Sequence, residues 1–160
     1  MAAAAEMDFY LAAGGPDDLG DVMRVMTAAF SPAFGEGWSQ SQCAGILPLA
    51  GVRLVVARTS NGEPAGFYLE RRVVDEAELL LLAVDPQYQR LGLGTQLLES
   101  FIDHHGTSDV ARLHLEVRDG NSAVAMYQSF GFRPAGRRKD YYRGADGAFH
   151  DAVTMIREFR

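Results

Sequence analysis

The chain reads as an α/β protein of the α+β type: one domain with a mixed, mostly antiparallel central sheet of about seven strands and four flanking helices. Three observations carry this expectation. Residues 79–84 form an apolar run that meets the turn Asp85-Pro86, then the hexad Gln89-Arg90-Leu91-Gly92-Leu93-Gly94, then a helical pattern with Leu97, Leu98, Phe101 and Ile102 on one side. A further alternating strand at residues 112–117 makes this a β-α-β unit, the one connection in the chain that demands parallel pairing. Asn61-Gly62, between strand patterns at residues 53–58 and 65–74, is a hairpin signal.

The remaining elements follow in order. Phe9 and Leu11 alternate with polar or small neighbours, a strand pattern that starts at Met7 and that Gly14-Gly15-Pro16 ends. Asp17 is placed to cap a helix carrying Leu19, Val22, Met23, Met26 and Phe30. Residues 31–37 break the pattern, and Ser39 with Gln42 fits a capping box opening a second helix to about Ala50. Asp119-Gly120-Asn121 turns into a short helix that Gly131 ends, and strands at residues 133–142 and 151–158 close the chain. The order is β-α-α-β-β-β-α-β-α-β-β.

Composition narrows the function classes. With 160 residues, 48% of them hydrophobic, the chain can bury one substantial core, and residues 7–160 are expected to form it. A formal charge of −6 argues against nucleic acid as main partner and suits a basic peptide or amine. Cys43, the only cysteine, forbids an intrachain disulfide, fits a reducing compartment and reads as a small buried hydrophobe. Residues 1–6 lack the pattern of a signal peptide and are expected to be a disordered tail. With no apolar run near the length of a membrane span, the expected location is cytoplasmic.

Amide groups at the start of a helix lack intrahelical partners and sit at the positive end of the helix dipole, so the hexad suits an anion such as a pyrophosphate. Gly92 and Gly94 let the main chain approach such a ligand. A dinucleotide fingerprint would need a third glycine where Leu97 stands. Gln89-x-x-Gly92-x-Gly94 directly after Ala83-Val84-Asp85-Pro86 instead resembles the acyl-coenzyme-A motif of the GNAT N-acetyltransferases, whose fold has the same element order. Leu115-Glu116-Val117-Arg118-Asp119-Gly120-Asn121, followed by Ala125-Met126-Tyr127-Gln128-Ser129-Phe130-Gly131-Phe132, is similar to the C-terminal half of the ribosomal-protein-alanine N-acetyltransferases. Arg137-Arg138, Tyr141-Tyr142 and Asp151-Ala152 continue the likeness, which covers residues 76–155 and is thin before Val52.

The resemblance implies acetyl-coenzyme A as cosubstrate. Its pyrophosphate would lie over the main chain of Arg90, Leu91, Gly92, Leu93, Gly94 and Thr95. Its pantetheine arm would pair with the main chain of Leu82 and Val84, with the Val84 N–H as oxyanion donor and the leucine and valine side chains facing the core. Glu116 would take the amine proton through a water, and Tyr127 would protonate the departing thiolate. Asn121 would contact the coenzyme. From spacing alone Glu116 could be a solvent-facing strand carboxylate, Tyr127 a core tyrosine and Asn121 a helix cap. The implied acceptor is the N-terminal alanine amine of a small-subunit ribosomal protein; the alternatives are a lysine side chain, a polyamine, an amino-sugar or, with no catalysis, a coenzyme-binding module.

Two departures bear on the acceptor. Gly35-Glu36-Gly37 precedes Trp38 where that family has a proline, and Phe149-His150 precedes Asp151 where it is more acidic. Trp38 itself reads either as a packing anchor for the second helix or as a wall of the substrate site. His104 and His105 read as cations favoured at a helix C-terminus. No histidine spacing suggests a metal.

Overall fold

The computed structural model describes residues 8–159, so the expected tail at residues 1–6 and the strand start at Met7 lie outside the described residues. Strands β1 (Phe9–Gly14), β2 (Val52–Thr59), β3 (Pro64–Val73), β4 (Glu76–Val84), β5 (Arg112–Arg118), β6 (Arg133–Arg143) and β7 (Phe149–Glu158) form one sheet. Their spatial order is β1-β2-β3-β4-β5-β7-β6, antiparallel throughout except for β4 against β5. Four α-helices accompany them among the described residues: α1 (Leu19–Ala29), α2 (Gln40–Ile46), α3 (Leu93–Gly106) and α4 (Ala123–Ser129).

Each face of the sheet carries its own core. Val22, Val25 and Met26 of α1 and Cys43 of α2 pack on Leu54, Val56, Phe67 and Leu69. On the opposite face Leu93, Leu97, Leu98, Phe101 and Ile102 of α3 pack with Val55, Ala57 and Tyr68. Truncating Leu97, fully buried, to alanine would cost about 2–5 kcal/mol.

The feature that makes room for a site is a β-bulge. Leu69 of β3 pairs with Leu81 of β4 and Glu70 pairs with Leu79, which leaves Leu80 without an opposite. An extra residue reverses the side-chain alternation and re-aims the strand. Before the bulge Ala77 and Leu79 belong to the α3 core; beyond it Leu81 and Ala83 belong to the α1 core. Leu82 and Val84 thereby turn to the α3 side, half-buried against that core. The β4–β5 ladder stops at the same place, its last pair being Leu79 with Leu115. Past that point the two strands part, and β4 keeps only β3 beside it.

Element ends differ from expectation in physically legible ways. Helix α2 ends at Ile46 because Leu47 to Gly51 turn back toward β3, with Gly51 at φ +81°. Asp18, not Asp17, holds the entry to α1, its side chain accepting from the Gly15 N–H at 2.9 Å, because Pro16 starts a 3-10 turn first. The capping box is present: Ser39 Oγ accepts from Gln42 N at 3.2 Å and Gln42 Oε1 from Ser39 N at 2.8 Å. Helix α3 starts at Leu93 with Gly92 as its cap and runs to Gly106.

Candidate active site

At the end of β4 the Asp85 N–H donates to Ala65 O of β3 at 2.9 Å. Strand alternation therefore aims the main-chain groups of Val84 and Leu82 the other way, into the gap left by β5. Gln89 Nε2 donates to the Val84 carbonyl there at 3.2 Å. The chain then passes through Arg90 and Gly92, at φ +65° and +80°, into α3. The first intrahelical bond of α3 is Gln96 N to Gly92 O at 3.0 Å, so the amides of Leu93, Gly94 and Thr95 are the unpaired first turn.

These groups border a cleft of about 630 Å³. Leu82, Val84, Arg90, Gly92, Leu93, Gly94 and Thr95 line it together with Arg118, Asn121 and Met126 from the β5–α4 side and Phe30, Phe34 and Glu36 from the loop after α1. Leu91 stands apart, 48% exposed and off the lining. A side pocket of about 80 Å³ adjoins the cleft, sharing Glu36, Leu82 and Asn121 with it and adding Glu116, Tyr127 and Tyr142. The two residues singled out for acid–base work thus line one small pocket at the parting of β4 and β5.

Glu116 is half-buried and held by its neighbours on the sheet. Thr154 of β7, opposite it in register, donates to Oε2 at 2.7 Å, and Arg138 of β6 approaches Oε1 at 3.0 Å. Tyr142 donates to the Glu116 main-chain oxygen at 3.3 Å. Tyr127, on α4, is 7% exposed and edge-on to Phe132. Burial, and then the nearby Glu36 carboxylate, push the Tyr127 phenol far above its ordinary range; Tyr142 is raised by the same two causes. Both phenols therefore keep their protons.

Asn121 uses its two ends differently. Its Oδ1 accepts from Ala123 N at 2.9 Å, capping α4, and its Nδ2 donates to Glu36 Oε2 at 2.9 Å. Arg118 completes the group by donating from Nε to Glu36 Oε1 at 2.9 Å, while its guanidinium lies 3.8 Å from the Phe34 ring centroid. Sequence reasoning noted Glu36 only as a departure. A carboxylate between two glycines on a loop was the available signal. Tyr142 was marked only as part of the family likeness, and Thr154 gave no signal.

The loop carrying Glu36 is seated on the β6–β7 turn. Ala145 N donates to Pro32 O at 2.8 Å, and Phe34 meets His150 edge-on at 5.3 Å. Gly35, at φ +69°, lies so close to the Arg143 carbonyl that a Cβ would collide with it, as one on Gly144 would with the Ala33 carbonyl. Trp38 packs with the α1–α2 core and is not on the cleft lining, which is the anchor role. Cys43 is buried, and desolvation raises its thiol.

His105 lies in the last turn of α3, as expected, and is also buried against the sheet. It is 2% exposed, and its Nε2 lies 2.6 Å from Glu70 Oε1 inside the α3 face of the sheet. Glu70, His104 and His105 bring one ligand atom each within 4.8 Å of one another, a grouping that spacing could not reveal. Arg53, 3.3 Å from the other Glu70 oxygen, already supplies a positive partner there.

The fold is a seven-stranded mixed sheet built around a parted strand pair, with the two adjoining cavities at the parting. The family model described as acetyltransferase (GNAT) domain matches residues 33–143, and the chain belongs to that family. Within it, the chain is 49% identical over 98 residues to the [ribosomal protein bS18]-alanine N-acetyltransferase of Escherichia coli strain K12, a stretch covering 61% of this chain and 66% of that one. The matched stretch is thus just under two-thirds of the relative's length. The corresponding enzyme of Haemophilus influenzae is 39% identical over 95 residues, 59% of this chain and 65% of that one. The crystal structure of the ribosomal-protein-S18-alanine N-acetyltransferase from Escherichia coli superposes with a TM-score of 0.85 at 37% identity, covering 95% of this chain and 94% of that chain.

Proposed function

We propose that this chain transfers the acetyl group of acetyl-coenzyme A to the N-terminal alanine amine of a small-subunit ribosomal protein. The observation that carries the chemistry is the continuity of two cavities: one bordered by the unpaired amides of α3, the other by Glu116 and Tyr127. The acceptor rests on the two sequence relatives and on the superposed enzyme, which are named for that substrate.

Acetyl transfer needs a held donor, a neutral amine, a stabilised oxyanion and an acid for the thiolate. The residues that line the cleft fit the donor: main chain of Arg90 and of Gly92 to Thr95 for the pyrophosphate, Leu82 and Val84 for the arm, and the Val84 N–H for the oxyanion. Asn121 has one Nδ2 hydrogen left for the coenzyme after its bond to Glu36. Glu116 accepts the amine proton through a water. Tyr127, kept protonated by its surroundings, supplies the proton for sulfur. An α-amine, with a pKa near about 8 against about 10.4 for lysine, is a few hundred times more often neutral at pH 7, which suits a carboxylate base.

No helix among the described residues is long and apolar enough to cross a membrane. The reading is tested by mass spectrometry of ribosomal proteins from cells with and without this chain, paired with rates on an alanine-starting basic peptide, its N-terminally blocked form and spermidine. Loss of one N-terminal acetyl group, with transfer to the free peptide alone, is the expected result. Transfer to the blocked peptide's lysines or to spermidine would replace the acceptor.

A further inference from the structure

Among the described residues lining the two cavities the carboxylates are Glu116 and Glu36; Glu36 is the one given neither the base nor the acid role, and it borders both cavities. Its side chain is only 13% exposed, and one N–H donor reaches each carboxylate oxygen, from Arg118 and from Asn121, both at 2.9 Å. An ionised carboxylate offers about four lone-pair sites, so two remain after these bonds. Arg118 is itself braced by the Phe34 ring and Asn121 by the α4 amide it caps, so the carboxylate is fixed in direction. Such fixing lowers the ordering cost of receiving a further donor. Glu36 also belongs to the loop seated on the β6–β7 turn, where the acceptor is expected to enter, and not to the donor floor of β4 and α3.

We infer that Glu36 is an acceptor-binding residue that captures the incoming amine as its ammonium ion and presents it across the pocket to Glu116. The ligand class is a primary ammonium group, and the inference rests on the acetyl-transfer reading of this cleft. Capture precedes deprotonation. A carboxylate stabilises the ammonium form, so Glu36 raises affinity for the charged amine and leaves the proton for Glu116 to remove. Arg118 and Asn121 hold Glu36 in place and touch the acceptor only through it.

The test uses the full chain with coenzyme A bound, titrated calorimetrically with the alanine-starting basic peptide between pH 6 and 9. Wild type is expected to bind more weakly as pH rises through about 8, where the α-amine loses its proton. Glu36→Gln, which keeps the shape and removes the charge, is expected to weaken binding at least tenfold at pH 7 and to flatten that profile. Glu36→Asp is expected to retain part of both, and coenzyme affinity to stay within threefold in each variant. A loop brace alone would lower affinity equally at every pH, and that result, or unchanged peptide affinity in Glu36→Gln, would overturn the inference. The same titrations with the blocked peptide and with spermidine separate the two readings. If wild type binds one of these instead, the ribosomal acceptor falls; a charge-dependent loss of that amine in Glu36→Gln then supports the ammonium role, and unchanged affinity overturns it. If no amine binds the wild-type complex, the ammonium role is refuted.

Discussion

The two ends of the cleft are made of different material. The end assigned above to the donor is main chain: β4 beyond the bulge and the first turn of α3, where side chains such as Leu93 turn into the core. The end proposed for the acceptor is side chain, a set of polar and ionic groups in which Glu36, Arg118 and Asn121 interlock beside Glu116, Arg138 and Thr154. Backbone sites tolerate most substitutions that spare their φ and ψ, whereas a side-chain site loses function with a single atom exchanged. Donor use should therefore be the conservative property of the molecule, and acceptor choice the adjustable one.

The sharpest way to break this contrast is at the chemical end. Glu116→Gln and Tyr127→Phe are each expected to lower turnover of the alanine-starting peptide by about a hundredfold, within the usual range for acid–base groups, while donor affinity stays within a few-fold. Steady-state rates beside coenzyme titrations check it, and full turnover in both variants would remove their assigned roles. At the other end the expected effect is smaller and of opposite kind. Gly92→Val forces a β-branched residue to φ +80°, costing roughly 1–2 kcal/mol, so donor affinity should fall roughly tenfold with rate at saturating donor preserved.

Asn121→Ala touches both ends at once. Loss of the α4 cap should lower unfolding free energy by about 1 kcal/mol in urea melts. The smallest effect concerns pH. Tyr127 and Tyr142 ionise near about 10 when unfolded but hold their protons well beyond that when folded. Their contribution to stability is complete below that pH and is lost as pH rises past it, because only the unfolded chain releases the protons. Urea midpoints should decline between pH 9.5 and 11, and less steeply in Tyr127→Phe.

Most of the fold was legible because its signals are local: the hairpin at Asn61-Gly62, the capping box at Ser39 and the glycine hexad each fix their own backbone. The Leu80 bulge was not. Residues 79–82 are four leucines in a row, so the reversal of alternation leaves no polar mark on the sequence, and only pairing with β3 exposes it. Glu116 and Tyr127 were nameable by resemblance, yet Glu116's partners Thr154 and Arg138 arrive from strands later in the chain. Glu36 was hidden for a related reason: it meets Arg118 and Asn121, 82 and 85 residues away, and no short-range pattern encodes that meeting. His105 stands in the last turn of α3 as expected, but its burial against Glu70 was not foreseen, because helix-end logic ignores the strand beneath.

The mutual approach of Gly35 to Arg143 and of Gly144 to Ala33 has an engineering consequence. Segment 31–38 and turn 143–148 are cut to each other's backbone, so grafting either one alone from a relative would jam the joint. To redirect this scaffold to a new amine, the two should be exchanged together as a single cassette, leaving the remainder of the chain untouched.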